Sequence, residues 1–249
     1  MNALRKFSLT LLFSLTMSAA HAADDKTLRL TSLDWPPYTG ESLKDKGASA
    51  AVVKEAFKAV GYTVIIEFYP WSRAVRMVKD DPGYQGYFPE YYSDDTAKEF
   101  TYSAPMGSGP LGFAENVDNP IVWNTLDDLS KYRIGVVQDY VNTAEFDKRV
   151  AQKKLKVDTT VDDTKNLLKV NGKRIDLAVV DKNVFNYLLK TSGKLSEAKH
   201  KLRFNPKILE DKTLYICFKK GAAGERYAQL FAEGLKKINI DAIMASHLK

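Results

Sequence analysis

The sequence predicts an α/β chain folded as two lobes around a cleft, and three observations predict it. Short β-branched or aromatic runs alternate with segments of helical period almost throughout. Two such strand–helix series occur, one before and one after roughly residue 115, and a cleft between two lobes is a favoured ligand site. The 249 residues, 45% hydrophobic and 27% charged, suffice for a sizeable core without metals or disulfides.

The elements follow in chain order. Lys26 to Leu33 alternates as a strand. Trp35-Pro36-Pro37-Tyr38-Thr39-Gly40 is a loop, because two prolines carry no ladder donors. Val52, Val53, Ala56, Phe57 and Val60 share one helical face that Gly61 ends. Thr63 to Tyr69 is a strand, followed by a helix capped by Ser72 and closed by Pro82-Gly83. Further strands are expected at Arg133 to Val137, Ile175 to Val180 and Thr213 to Phe218. Helices are expected from Thr143, over Asp162 to Val170, over Asp181 to Leu189 and over Ala222 to Ile238, with a last short helix after it. The parallel βα pattern implies mostly parallel sheets.

Residues 1–22 read as a cleaved secretory signal peptide. Arg5 and Lys6 form the positive start, Phe7 to Met17 a short apolar run, and Ala20-His21-Ala22 the small-x-small cleavage pattern. The apolar run is too short to span a bilayer, which needs about 20 residues. The expected location is therefore the periplasm, with the mature chain starting near Ala23.

Composition narrows the chemistry. The net charge of +6 is spread among interspersed acids and bases with no basic block, which argues against nucleic acid. A single Cys217 and three scattered His disfavour disulfides and metal clusters, and no cofactor is expected. Gly107-Ser108-Gly109-Pro110-Leu111-Gly112 fits G-x-G-x-x-G, but Pro110 and an extended continuation remove the strand–turn–helix context that a dinucleotide needs. Cys217, inside a strand, reads as a buried structural thiol. Trp35, Tyr38, Tyr69, Trp71, Tyr84, Tyr87, Phe88, Tyr91 and Tyr92 crowd one third of the chain, in loop-like segments where rings line pockets; Tyr69 is assigned to the core. Asp181 follows the apolar run Leu177-Ala178-Val179-Val180. An acid at that position faces the ligand crevice of an α/β sheet, caps the next helix, or does both.

With these residues in place, the chain resembles the family 3 extracellular solute-binding proteins, the periplasmic receptors of amino-acid ABC importers. The likeness rests on the order of Trp35-Pro36-Pro37-Tyr38, Gly61-Tyr62, Pro70-Trp71-Ser72-Arg73-Ala74 and Phe100-Thr101-Tyr102-Ser103-Ala104-Pro105. It continues through Leu126-Asp127-Asp128-Leu129, Ile134-Gly135-Val136-Val137, Asn171-Gly172-Lys173-Arg174-Ile175-Asp176 and Cys217-Phe218-Lys219-Lys220-Gly221. The resemblance implies a two-lobe periplasmic-binding-protein-like fold with a hinged inter-lobe cleft. Lobe 1 would comprise residues 23–113 and 213–249, and lobe 2 residues 114–212. The crossings would lie near Leu111 to Asn116 and Asp211 to Phe218.

The resemblance also implies a function: a monomer that captures a small amino-acid-like or amine-bearing solute and presents it transiently to a membrane ABC permease. An exported sensory module is the alternative, and a dehydratase-type enzyme on the same scaffold is a third reading without a paired acid/base signature. By resemblance Trp35 stacks on the ligand, Trp71 forms a second wall, and Asp181 pairs with an ammonium. The segment Asp139 to Asn142, with Tyr140 and Asn142, approaches a carboxylate, and Asp139 stands where the family has glycine. Thr96 occupies the position of a carboxylate-gripping Arg, which makes Arg73 the expected substitute partner. Tyr38, Tyr87, Phe88, Glu90 and Tyr91 complete the expected site, with Glu90 as a second anion for a cationic guest.

Overall fold

A computed structural model describes residues 26–248, so the expected signal segment 1–22 lies outside the described residues. The first lobe is built on β1 (Thr27–Ser32), which pairs in parallel with β2 (Thr63–Phe68) and with β3 (Gly86–Tyr91). Helix α1 (Ala48–Ala59) buries Val52, Val53, Ala56 and Phe57, the apolar face that the sequence spacing predicts. Helix α2 (Trp71–Asp80) follows β2. Its N-cap is Pro70 rather than the expected Ser72. Proline's fixed φ and missing N–H suit it to a helix start, so the helix begins two residues earlier and Ser72 lies in its first turn.

The second lobe carries a parallel set, β6 (Arg133–Val137), β7 (Lys156–Thr160) and β8 (Leu177–Asp181), joined by α4 (Ala144–Ala151), α5 (Asp163–Asn171) and α6 (Lys182–Thr191). Thr143, Asp162 and Asp181 cap these helices through their side chains. Strand β5 (Ser108–Asn116) runs antiparallel to β8, and β9 (Leu202–Phe204) antiparallel to β5. The chain ends in α7 (Ala222–Leu235) and α8 (Ile240–His247), which pack on α1. The sheets are thus less uniformly parallel than expected, because the strands that link them run the other way.

Strand β10 (Glu210–Lys219) belongs to both sheets. Glu210 to Thr213 pair with β5, Leu214 to Phe218 with β3, and Cys217 to Lys219 with β4 (Phe100–Tyr102). The stretch 103–107 runs beside it, bonded through Ser103 N to Ile216 O at 2.9 Å and Met106 N to Leu214 O at 3.0 Å. Two extended segments therefore cross side by side. The first crossing lies upstream of the expected Leu111 to Asn116, because Leu111 to Glu115 already pair with β8 inside the second sheet. Cys217 is buried within β10, as expected of a structural thiol, and burial pushes its pKa up.

Strand β3 departs most from the sequence reading, which placed its aromatic residues in loops. It is buried at every position although Pro89 sits inside it. Tyr215 faces Glu90 and Cys217 faces Tyr87, so Phe88 and Pro89 together oppose Ile216. That is a β-bulge, the place where a strand tolerates a residue without a donor. Also unforeseen are α3 (Asp94–Glu99), β4, β7 and β9.

Glu115, fully buried in β5, anchors the second lobe. It accepts from Arg203 Nε at 2.7 Å, Asn205 Nδ2 at 2.7 Å and Ile121 N at 3.1 Å. Glu115→Ala leaves three donors without their acceptor, and chemical denaturation should report a loss of about 2–4 kcal/mol.

Candidate functional site

Where the lobes meet, a small cavity of ≈ 30 Å³ is lined by Leu33, Trp35, Trp71, Pro89, Glu90, Tyr91, Tyr140, Val141 and Leu214. Local structure explains how the rings arrive there. The two prolines fold Trp35–Gly40 into a tight turn closed by Trp35 N to Thr39 O at 2.8 Å. This stacks Trp35 on Tyr38, with ring centroids 4.7 Å apart, and sets Tyr91 edge-on to Trp35 at 6.0 Å. Trp71 opens α2 and stands between Tyr87 at 5.4 Å and Tyr140 at 5.9 Å, both edge-to-face. Edge-to-face pairs fix ring orientation as well as bury area.

Three sets of contacts join the lobes around this cavity. The Tyr38 hydroxyl lies 3.2 Å from Asp181 Oδ2 and accepts from Asn183 Nδ2 at 2.7 Å. The Trp35 indole faces the Asp163 carboxylate and favours its charged form. The Trp71 indole N–H donates to Asp139 O at 2.9 Å, and the Ser72 hydroxyl to the Asp139 carboxylate. Asp139 has a φ of 61°, the left-handed conformation that glycine favours, so the turn is kept while the side chain gains a cross-lobe role. Gly109 permits the first contact: a Cβ there would lie 2.1 Å from Tyr38 Oη and 2.2 Å from Asp181 Oδ2.

Three carboxyls are buried at this seam. Burial pushes Glu90 up to about 8, although Tyr91 N donates to it at 2.8 Å and Tyr87 Oη lies 3.3 Å away. Burial and the neighbouring Asp181 charge push Asp163 up to about 7. Burial pushes Asp181 up to about 7 as well, against the two α6 N–H groups that it accepts from at 2.7 and 3.1 Å. Lys212, also buried, sits over the Tyr91 ring at 5.3 Å and pairs with Glu210 at 3.2 Å. The Tyr91 hydroxyl is buried without a hydrogen-bond partner.

Of the residues singled out from sequence, Trp35, Trp71, Glu90, Tyr91 and Tyr140 line the cavity, and Tyr87 stands behind Glu90. Tyr38 and Asp181 sit beside it, bonded to each other, and Asp181 is at once the α6 cap and a cross-lobe acceptor. Four expectations are displaced. Phe88 is fully buried core, because β3 is covered on both faces. Arg73 is exposed and lies 4.8 Å over the half-buried Tyr69 ring, held by that stacking rather than by the cleft. Tyr69 itself is only partly buried, its hydroxyl bonded to Glu67 at 2.8 Å. Asn142 turns to Asp147, which takes both its backbone and its side-chain N–H groups at 2.9 and 2.8 Å.

The groove beyond Glu90, lined by Arg76, Lys79, Thr96 and Trp71, holds the Thr96 position. Sequence reasoning missed Asp163, Asn183 and Lys212. Asp163 was within reach, since it opens the helix expected over Asp162 to Val170, but the strand before it was not recognised.

Comparisons with known proteins place this architecture. No protein-family model and no curated protein matches the chain. Solved structures do. A histidine kinase sensor domain with similarity to periplasmic binding proteins aligns over 89% of this chain and 96% of its own, at 18% identity and TM-score 0.75. An ancestral arginine-binding protein bound to arginine aligns over 90% and 99%, at 15% identity and TM-score 0.73. An amino acid ABC transporter substrate-binding protein from Streptococcus pneumoniae, bound to L-arginine, aligns over 90% and 94%, at 11% identity and TM-score 0.71. The chain thus has the two-lobe α/β fold of periplasmic binding proteins, as the sequence predicts.

Two outcomes test the site's electrostatics and geometry. Each seam carboxyl has a folded-state pKa above its ordinary value, so the folded protein holds more protons than the unfolded chain. The stability they contribute is present in acid and is lost as pH rises through about 7 to 8. The melting temperature of the unliganded protein should fall between about pH 5.5 and pH 8.5, and Glu90→Gln should make that fall shallower. Gly109→Ala should lower stability by about 1–3 kcal/mol in denaturant titration, because the new methyl displaces Tyr38 or Asp181.

Proposed function

We propose that the protein is an exported solute-binding protein that captures a small amine-bearing or amino-acid-like solute between its lobes and delivers it to a membrane ABC permease. The observation that carries this reading is the seam itself, an aromatic cavity walled by residues from both lobes and lined by the buried Glu90, with the buried carboxyls of Asp163 and Asp181 at the same seam. Buried carboxyls with raised pKa values accept a cation readily, because a guest's positive charge restores what burial removed. Aromatic rings supply apolar area and a negative face for the same charge.

In this reading the first lobe comprises the chain up to about residue 102 together with the stretch from Leu214 onward, and the second lobe the chain between, hinging on the paired segments near 103–107 and β10. A guest touching both lobes favours closure by its differential affinity for the closed form. The signal segment 1–22 delivers the chain to the periplasm, where it acts as a monomer. In this reading the guest leaves unchanged. A sensory role is the second reading, favoured by the likeness to a histidine kinase sensor domain.

Thermal-shift screening of the mature protein with amines and amino acids should give a stabilising compound, confirmed by calorimetry and recovered unaltered by mass spectrometry. Ligand at about 100 times its Kd stabilises the folded state by about 2.7 kcal/mol, a shift of several degrees. Absence of any binding across the panel overturns the reading. Loss of uptake of the identified solute in a deletion strain separates the importer role from the sensory one.

A further inference from the structure

We propose that the guest is a carboxylate-free organic cation, an amine rather than an α-amino acid, held against Glu90 by the rings of Trp35, Trp71, Tyr91 and Tyr140. This deepens the reading above and rests on it. The cavity wall supplies the argument. Its one ionisable acid is Glu90, and among the described residues no Lys, Arg or His lines it. Four aromatic rings form much of the rest, and a ring face attracts a cation and offers nothing to an anion.

A carboxylate entering this cavity would meet Glu90 and the electron-rich ring faces, and the nearby cation, Lys212 behind the Tyr91 ring, already acts on Glu90 and pairs with Glu210. An α-amino acid carries its carboxylate two bonds from its ammonium, so seating the ammonium at Glu90 brings the carboxylate into the same space. The loop between β6 and α4 does not provide donors in compensation at three of its positions. Gln138 N is bonded to Thr160 O at 2.7 Å, Tyr140 N to Val137 O at 3.3 Å and Asn142 N to Asp147 at 2.9 Å. Cations near the site are engaged or set apart. Lys212 pairs with Glu210, Arg73 lies over Tyr69, and Arg76 lines the groove outside the cavity.

The Tyr91 hydroxyl is the second, independent pointer to a ligand. Tyr91 is 7% exposed, lines the cavity, and its hydroxyl has no hydrogen-bond partner. A buried hydroxyl left unpaired is costly, and an ammonium N–H offers the missing partner. Asp163 and Asp181 are close enough to act on it electrostatically, while Lys212 lies over the ring at 5.3 Å. A cation there gains an acceptor oxygen and two nearby acids, whereas a carboxylate would gain one donor and face both charges.

Matched pairs that differ only in the α-carboxylate test the proposal on the wild-type protein: arginine with agmatine, lysine with cadaverine, tyrosine with tyramine and phenylalanine with phenethylamine. Isothermal calorimetry should show the amine of at least one pair binding at least about tenfold more tightly than its amino acid, a difference of about 1.4 kcal/mol. The preference should shrink at least about threefold in Glu90→Gln, with the folded state of that variant checked by circular dichroism. Equal or tighter binding of the amino acids overturns the amine assignment while leaving solute capture intact. Failure of every amine and every amino acid to bind overturns both.

Discussion

The Tyr38–Asp181 contact is the constraint on which the site depends. It joins the turn after β1 to the start of α6, and it forms only because residue 109, on the crossing strand, has no side chain. Asn183 braces the same hydroxyl from the second lobe. With the lobes registered at this point, the Trp35 indole reaches Asp163 and the Trp71 indole reaches Asp139. The two tryptophans thereby do double duty: each presents a ring to the cavity and meets an aspartate of the opposite lobe. Direct contacts of this sort also set the energy that a guest must exceed or complement, since they stabilise closure with or without it.

The distribution of charge across the seam is uneven. The second lobe contributes Asp163, Asp181 and Asp139, the first contributes Glu90, and Lys212 rises from the shared strand β10. Lys212 eases the burial of Glu90 without cancelling it, since Glu90 is still pushed up to about 8. A seam built this way favours protons when no other cation is present and favours a guest cation when one is. Proton and guest then compete for the same charge, which couples affinity to pH.

Much of this was legible from the chain. Strand β1 announces itself by alternation, β6 and β8 by short apolar runs, α1 by its period, and α4, α5 and α6 by their period and their Thr or Asp caps. The crowding of rings in one third of the sequence pointed to an aromatic pocket, and of the two readings of Asp181 the helix cap is seen, with a contact to Tyr38 across the seam besides. The illegible parts have physical reasons. Pro89 disguises β3, because its missing donor is accommodated by a bulge that only the partner strand reveals. Lys156 to Thr160 is polar and exposed on an edge, so β7 lacks the apolar signature of its neighbours, and Asp163 beyond it went unnoticed. Phe88 and Arg73 were misplaced because their positions are decided by what covers β3 and by the Tyr69 ring, contacts distant from local pattern.

Proton release on binding tests the central claim, that the seam holds buried carboxyls poised for a positive guest. Calorimetric titration with the identified solute, repeated at about pH 7.5 in buffers of different ionisation enthalpy, measures it directly. The account predicts that protons leave the protein as the guest enters, with the release diminished in Glu90→Gln. Binding without any net proton release, or with proton uptake, would contradict it.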